Sequence, residues 1–211
     1  MSARTFFSFL PWVLLFVVLS ACSTVQQVES DPSAAALRYQ TRFESLSAID
    51  NWSLEGRLAI SNDDDGGSGH FSWKKQPHSD RMDFHGALGR GAWRLEADKN
   101  GAVLEMSDGT VHQAGSIGDL VSNRVGWAIP VDQLAWWVRG LAAPGESGQR
   151  ILGDEGKLVE LHQTGWTIEF SAYRVFDGIE LPVKLTAQRA DSRVKLAIKR
   201  WEMSDGTEPG G

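Results

Sequence analysis

The sequence predicts a mainly β, α+β fold: a single curved antiparallel sheet forming an incomplete barrel, with helices covering its apolar concave side. Three observations predict it. Apolar residues alternate with polar ones in a series of short runs, the period of strands with one buried face. Clusters of Gly, Asn, Asp and Ser separate these runs by only a few residues, as hairpins do and parallel crossovers do not. Two stretches switch to spacings of three and four, the period of a helix with one apolar stripe.

The first helix is expected over 32–47. Ser30-Asp31-Pro32 reads as a cap with proline in the first turn. Ala36, Tyr39, Phe43 and Leu46 form the stripe, with Arg38, Arg42 and Glu44 mostly off it. From Trp52 the period becomes two, as Trp52, Leu54, Gly56, Leu58 and Ile60 alternate with Ser53, Glu55, Arg57, Ala59 and Ser61. Residues 62–69 read as a hairpin loop, with Phe71 and Trp73 opening the return strand. The alternation recurs at Met82-Phe84, Trp93-Leu95-Ala97, Trp166-Ile168-Phe170-Ala172, Val183-Leu185-Ala187 and Val194-Leu196-Ile198. Turn signals stand at 78–80, 99–101, 107–109, 164–165 and 190–192. A second helical zone interrupts the strands: a short helix at 117–121 and another over 132–140. In the latter Asp132 is the expected cap and Leu134, Trp137, Val138 and Leu141 share a face.

The N-terminus carries Arg4 and then an apolar run over 6–19, too short to span a bilayer and interrupted by Pro11, which reads as a signal peptide. It ends in Leu19-Ser20-Ala21-Cys22, the small-residue-then-cysteine pattern that a lipoprotein signal peptidase cleaves. Cys22 then becomes the first mature residue, bearing an N-acyl group and an S-diacylglyceryl thioether. One acyl chain holds a protein only marginally; three chains, at about 0.8 kcal/mol per buried methylene, make a durable anchor. Ser23 at the next position is the residue that, in the lipoprotein-sorting systems this resembles, permits export to the outer membrane. The expected organisation is a removed signal peptide (1–21), lipidated cysteine and tether (22–31), one folded half-barrel domain (32–203) and a disordered polar tail (204–211).

Loss of residues 1–21 takes the formal charge from −6 to −7, because Arg4 is the only charged residue among them. An acidic domain without a basic stripe is not a nucleic-acid binder. Cys22 is the only cysteine, so no disulfide is available. Nine tryptophans are present, all but Trp12 in the mature chain. Periodicity is equally compatible with a filled two-layer core; the load of bulky rings tips the expectation toward a cavity that they line without closing it.

No catalytic or metal constellation stands out. Histidines 70, 78, 85, 112 and 162 lack metal-motif spacing. Ser61-Asn62-Asp63-Asp64-Asp65-Gly66 begins with serine and has Ser72, not glutamate, at the twelfth position of a calcium loop. Gly66-Gly67-Ser68-Gly69-His70 lacks the final glycine of a nucleophile elbow. The expectation is a protein without a cofactor, a metal or an enzymatic activity.

Several segments in their shared order behind the lipidation motif resemble the outer-membrane lipoprotein receptor family LolB. They are 52–60 (Trp-Ser-Leu-Glu-Gly-Arg-Leu-Ala-Ile), Phe71-Ser72-Trp73, Asp80-Arg81 leading to Gly86-Ala87-Leu88-Gly89, Gly126-Trp127-Ala128-Ile129-Pro130-Val131, 134–141, Gln163-Thr164-Gly165-Trp166 and Trp201. The chain departs from the family at Ala87, where proline commonly precedes Leu-Gly, and in its longer acidic first hairpin. The resemblance implies a monomeric, lipid-anchored, periplasm-facing receptor. It would accept client lipoproteins from the soluble carrier LolA, without ATP, and insert them into outer-membrane lipid. It also implies that Leu88 projects from a loop needed for passing the lipoprotein into the membrane. The acyl-binding cavity is expected to involve Trp52, Trp73, Phe84, Trp93, Trp166 and Phe170 from the sheet, with Leu134, Trp137 and Leu141 from the helical cover. The other reading is a lipid-anchored scaffold or hydrophobic-ligand-binding lipoprotein that transfers nothing.

Overall fold

The computed structural model describes residues 32–62, 66–86, 91–125 and 129–204. Helix α1 (Pro32–Ser47) precedes six strands: β1 (Asn51–Ser61), β2 (Gly66–Gln76), β3 (Ser79–Gly86), β4 (Trp93–Asp98), β5 (Gly101–Met106) and β6 (Val111–Ala114). Helix α2 (Ile117–Leu120), a π-helical turn (Val121–Val125) and α3 (Val131–Trp137) follow. Five more strands close the chain: β7 (Gly148–Leu152), β8 (Leu158–Gln163), β9 (Trp166–Phe176), β10 (Ile179–Arg189) and β11 (Ser192–Ser204).

All eleven strands form one antiparallel sheet in the order β6-β5-β4-β3-β2-β1-β11-β10-β9-β8-β7, which does not close into a barrel. Two meanders, β1–β6 and β7–β11, are joined where β1 pairs with β11, so the free edges β6 and β7 lie at opposite sides. The chain must pass from one edge to the other between residues 114 and 148. That connection carries α2, the π turn and α3, and its apolar residues Val121, Val131, Leu134 and Trp137 are buried with the inward residues of the sheet in one core. The helical cover is thus a consequence of the topology.

Two irregularities keep the inward face continuous. Between Glu55 and Gly56 the register against β11 shifts by one residue: Glu55 pairs with Arg200 and Gly56 with Ile198. The extra residue turns Trp201 inward, opposite Leu54, where its indole N–H donates to the Pro182 carbonyl at 3.0 Å. Only glycine fits at 56, since a Cβ there would lie 2.2 Å from the Ala197 carbonyl oxygen. A second irregularity at 182–184 puts Leu181, Leu185 and Ala187 inside and leaves Val183 half-buried, correcting the expected Val183-Leu185-Ala187 phase.

Other expectations need adjustment. The apolar stripe of α1 begins at Ala35; Ala36 is exposed. Strand β2 starts at Gly66, because Gly66–Gly69 continue the pairing with Leu58–Ser61, which takes these four residues out of the expected loop. Ser79 and Asp80 belong to β3. Helix α3 runs from Val131 and ends at Trp137; Pro130 holds the cap position without a side-chain bond, and exposed Asp132 sits in the first turn near the positive end of the backbone dipole. Strands β5, β6, β7 and β8 were not among the expected runs. Ser204 ends β11; the rest of the expected tail, the tether and the signal peptide lie outside the described residues.

Candidate functional site

The inward residues divide between two halves of the barrel. Under the β7–β11 half the space is filled. Trp137 and Trp166 lie 6.4 Å apart between ring centres, and Leu141, Ile168 and Phe170 are buried beside them. A buried amide fastens the cover there: Gln163 Oε1 accepts from the Trp137 indole N–H at 2.8 Å and from the Ala143 amide at 2.9 Å, while its Nε2 donates to the Ala143 carbonyl at 2.9 Å.

Beneath the β1–β6 half the cover does not close on the sheet in the same way. Val121, Ile129, Val131 and Leu134 face Leu58, Ile60, Phe71, Met82, Trp93 and β11 residues Val194 and Leu196 across a cleft lined by apolar side chains alone. The free space is about 20 Å³, room for roughly one water molecule, yet nothing polar in its lining would hold one. Ile60 and Trp93 also border a wider space of about 330 Å³ at the end of β1, the mouth, lined further by Asn62, Gly66, Phe84, Gly91, Met106 and Arg124. The Trp93 ring stacks on Phe84 at 5.7 Å.

At the opposite end of β1 lies the floor, with a pocket of about 300 Å³ in which Asp50, Lys75, Asp80 and Arg139 stand among apolar residues and which shares Val131 with the cleft. Trp52 and Trp73 meet edge to face at 5.0 Å. The Trp73 indole donates to Asp80, which also pairs with Lys75 at 2.8 Å. Arg139 fastens this end. It is 4% exposed, it lies over the Trp136 ring at 4.6 Å, and its guanidinium donates to the Ala135, Leu46 and Ile49 carbonyls. Burial pushes its pKa down to about 10, so it stays charged at neutral pH. It thereby ties the end of α1 to α3.

Each of the nine expected cavity residues is buried. Only Trp93 and Leu134 border the cleft; Phe84 borders the mouth, while Trp52 and Trp73 border the floor pocket. Trp137, Leu141, Trp166 and Phe170 belong to the filled half. Sequence reasoning missed Gln163 and Arg139. The signal for Arg139 was a lone cation inside the apolar stretch 134–141, and for Gln163 a polar residue at an inward position of β8. Cys22 and Leu88 lie outside the described residues, but the strands that 87–90 connect end at Gly86 and begin near Gly91, so their neighbours Phe84, Gly91 and Trp93 form the rim of the mouth.

Among the described residues, no three His, Cys, Asp or Glu side chains are placed to hold a metal ion, and no helix is long and apolar enough to cross a membrane. Ser68, in the elbow-like segment, pairs with Ala59 within a regular strand.

Residues 50–201 match the family described as Outer membrane lipoprotein LolB. The outer-membrane lipoprotein LolB of Alkalilimnicola ehrlichii is 34% identical over 192 residues, covering 90% of this chain and 94% of that protein. The Pseudomonas aeruginosa protein of the same description is 34% identical over 186 residues, covering 88% and 91%. Among solved structures, a LolA superfamily protein from Nitrosomonas europaea superposes with a TM-score of 0.54 at 7% identity over 79% of this chain and 93% of that one. An outer membrane lipoprotein-sorting protein domain from Vibrio parahaemolyticus, described as putative, gives 0.51 at 9% identity over 83% and 95%. At such identities these structures speak for the fold alone. The chain therefore belongs to the outer membrane lipoprotein LolB family, with a fold similar to that of a LolA superfamily protein.

Proposed function

We propose that this protein accepts lipoproteins from the periplasmic carrier LolA and inserts them into the outer membrane, without catalysing a reaction and without ATP at this step. The observation that carries the reading is the exclusively apolar cleft beneath the helical cover, next to a wide mouth that shares Ile60 and Trp93 with it. Release of three acyl chains through water would expose every methylene at about 0.8 kcal/mol each. Passage from one apolar cavity to another avoids that exposure, and the bilayer then draws the chains onward.

The cleft at rest is far too narrow for an acyl chain, so binding has to part its walls. The cover over the β1–β6 half is the wall that yields, because the side-chain hydrogen bonds of Ser116 and Ser122 stay within the segment itself. Trp93 and Leu134 contact the chains directly in this reading, Phe84 guides them at the mouth, and the remaining expected residues hold the frame. Leu88, in the loop between β3 and β4, is the apolar tip that meets the membrane beside the mouth. Cys22 carries the acyl groups that hold the receptor, a monomer, at the outer membrane facing the periplasm, and no further cofactor is required.

Mixing the purified domain with lipoprotein-loaded carrier in the absence of nucleotide tests this. Lipoprotein is expected to move onto the domain and to displace an apolar fluorescent probe from it. If it stays on the carrier while the probe binds, the protein is a hydrophobic-ligand-binding lipoprotein and not a receptor.

A further inference from the structure

The outward face of β1, β11 and β10 gathers cations in a protein whose formal charge is −6. Register fixes their arrangement. Ala197 of β11 stands between Arg57 of β1 and Lys184 of β10, and Lys195, the next outward residue of β11, stands between Ala59 and Thr186. Arg57, Lys184 and Lys195 are exposed, whereas Leu58, Leu185 and Leu196, which alternate with them, are buried. Two strand steps put the Cα atoms of Arg57 and Lys184 about 10 Å apart, and Lys195 lies about 7 Å along the strand from the Ala197 between them. Small side chains, Ala59, Ser68, Ser171 and Ala197 among them, stand between the cations and leave a depression of about 330 Å³.

None of these three cations is ion-paired among the described residues. Of the carboxylates beside them, Glu55 on β1 is taken by Arg200 at 3.5 Å, and Glu169 stands opposite Thr186 on β9. Asp191, in the β10–β11 turn, lies next along the chain to Arg193, a fourth outward cation whose guanidinium donates to Gln188. The patch lacks what a protein partner would grip. Among the described residues the exposed large apolar side chains lie on α1 and β5 to β9, none on β1, β10 or β11, whereas protein interfaces centre on aromatic and apolar anchors and are poor in lysine. An anionic phospholipid surface needs no such anchor, since its phosphates favour each Lys or Arg brought close by about fivefold in affinity. The patch also lies toward the mouth. Arg57 is about 14 Å from Ser61 at the mouth end of β1, and its neighbour Leu58 is level with Gly69 and, through it, with Gly86, where β3 ends and the loop carrying Leu88 begins.

We propose that Arg57, Lys184 and Lys195 form a headgroup-docking site: they bind the phosphates of an anionic phospholipid surface and hold the mouth end of the barrel, tilted onto this wall, against the bilayer during delivery. A protein that is negative elsewhere presents this wall to such a surface because its other faces are repelled. Docking itself needs no client; its use in delivery rests on the receptor function proposed above.

The test uses the full-length, acylated protein in vesicles of phosphatidylcholine with or without phosphatidylglycerol. Labelling by an amine-reactive reagent, read by mass spectrometry, should be at least about fivefold slower at Lys184 and Lys195 in the anionic vesicles. Exposed Lys99, in the β4–β5 turn, should label equally in both. Salt at about 1 M should abolish the difference, because the Debye length falls to about 3 Å. The triple variant Arg57→Gln, Lys184→Gln, Lys195→Gln should accept lipoprotein from the carrier as the parent does, yet deliver it about tenfold more slowly into anionic vesicles. The charge-keeping variant Arg57→Lys, Lys184→Arg, Lys195→Arg should deliver like the parent. Equal labelling of Lys184 and Lys195 in the two vesicle types overturns the site, as does protection by the carrier in place of phosphatidylglycerol. Equal protection by inorganic phosphate in phosphatidylcholine vesicles overturns docking to a membrane, and parental delivery by the Gln variant overturns the role in delivery. If lipoprotein never moves from the carrier onto the parent while both lysines are protected, the receptor function fails and the headgroup site stands.

Discussion

The two halves of the barrel share one sheet and one helical cover, yet they are fastened differently. Over β7–β11 the cover is held by directional bonds: the Gln163 amide of β8 binds the Trp137 indole and Ala143, and the Tyr39 hydroxyl of α1 accepts from the Ala142 amide at 2.9 Å. Over β1–β6 it meets the sheet across a cleft whose lining is entirely apolar and whose free space is about 20 Å³. Apolar contact has no preferred direction and can be exchanged for contact with a ligand's methylenes at little net cost. Directional bonds, once broken in a buried site, leave polar groups unsatisfied. The first half therefore makes a frame and the second a yielding wall.

Substitutions sharpen that contrast. The largest effect is expected from Trp137→Ala in the frame, at about 3–5 kcal/mol, because a fully buried ring is lost and Gln163 loses a donor. Urea denaturation measures it; a loss below about 1.5 kcal/mol would mean that this half also relaxes into its cavities. Next comes Arg139→Met, which leaves the Leu46 and Ile49 carbonyls without their buried donor and should cost about 2 kcal/mol. Its thermal transition should fall, and amides of α1 should exchange faster than those of β9. Equal exchange in the two elements would show that Arg139 does not pin α1.

Val194→Phe addresses the wall itself. It adds bulk to the cleft at a stability cost of about 1 kcal/mol, and should weaken binding of an apolar probe about tenfold. Unchanged probe affinity would put the ligand elsewhere. The smallest stability effect is expected from Leu88→Glu, within about 0.5 kcal/mol for a residue proposed to act as a membrane-facing tip. Acceptance from the carrier should survive while incorporation into liposomes is lost, since a carboxylate resists the apolar layer. Normal incorporation would make Leu88 an ordinary surface leucine.

The same contrast explains what was legible in the sequence. The central strands β1 to β4 and β9 to β11 alternate cleanly because each lies between two neighbours with one face in the core. The outer strands read poorly: β6 has four residues with none buried, β7 is exposed along most of its length, and β8 puts Gln163 on the inward face, which breaks the apolar pattern. In β5 one of the two buried positions is only Ala102. The bulges at Gly56 and Val183 shift the phase by backbone geometry that residue type does not announce. At the site, period-two alternation in the strands and helical spacing in the cover told which side chains face inward, and all nine expected cavity residues are buried. It carried no information on how much room is left between facing surfaces, so Trp93 and Leu134 could not be told apart from Trp137 and Trp166.

Hydrogen exchange of the soluble domain, free and loaded with lipoprotein, tests the central claim most directly. Loading should change exchange in 117–125 and 129–137, the wall of the cleft, while β8 and β9 (158–170) stay within error of the free protein. A change confined to 158–170, or none in the wall despite a bound lipoprotein, would contradict it.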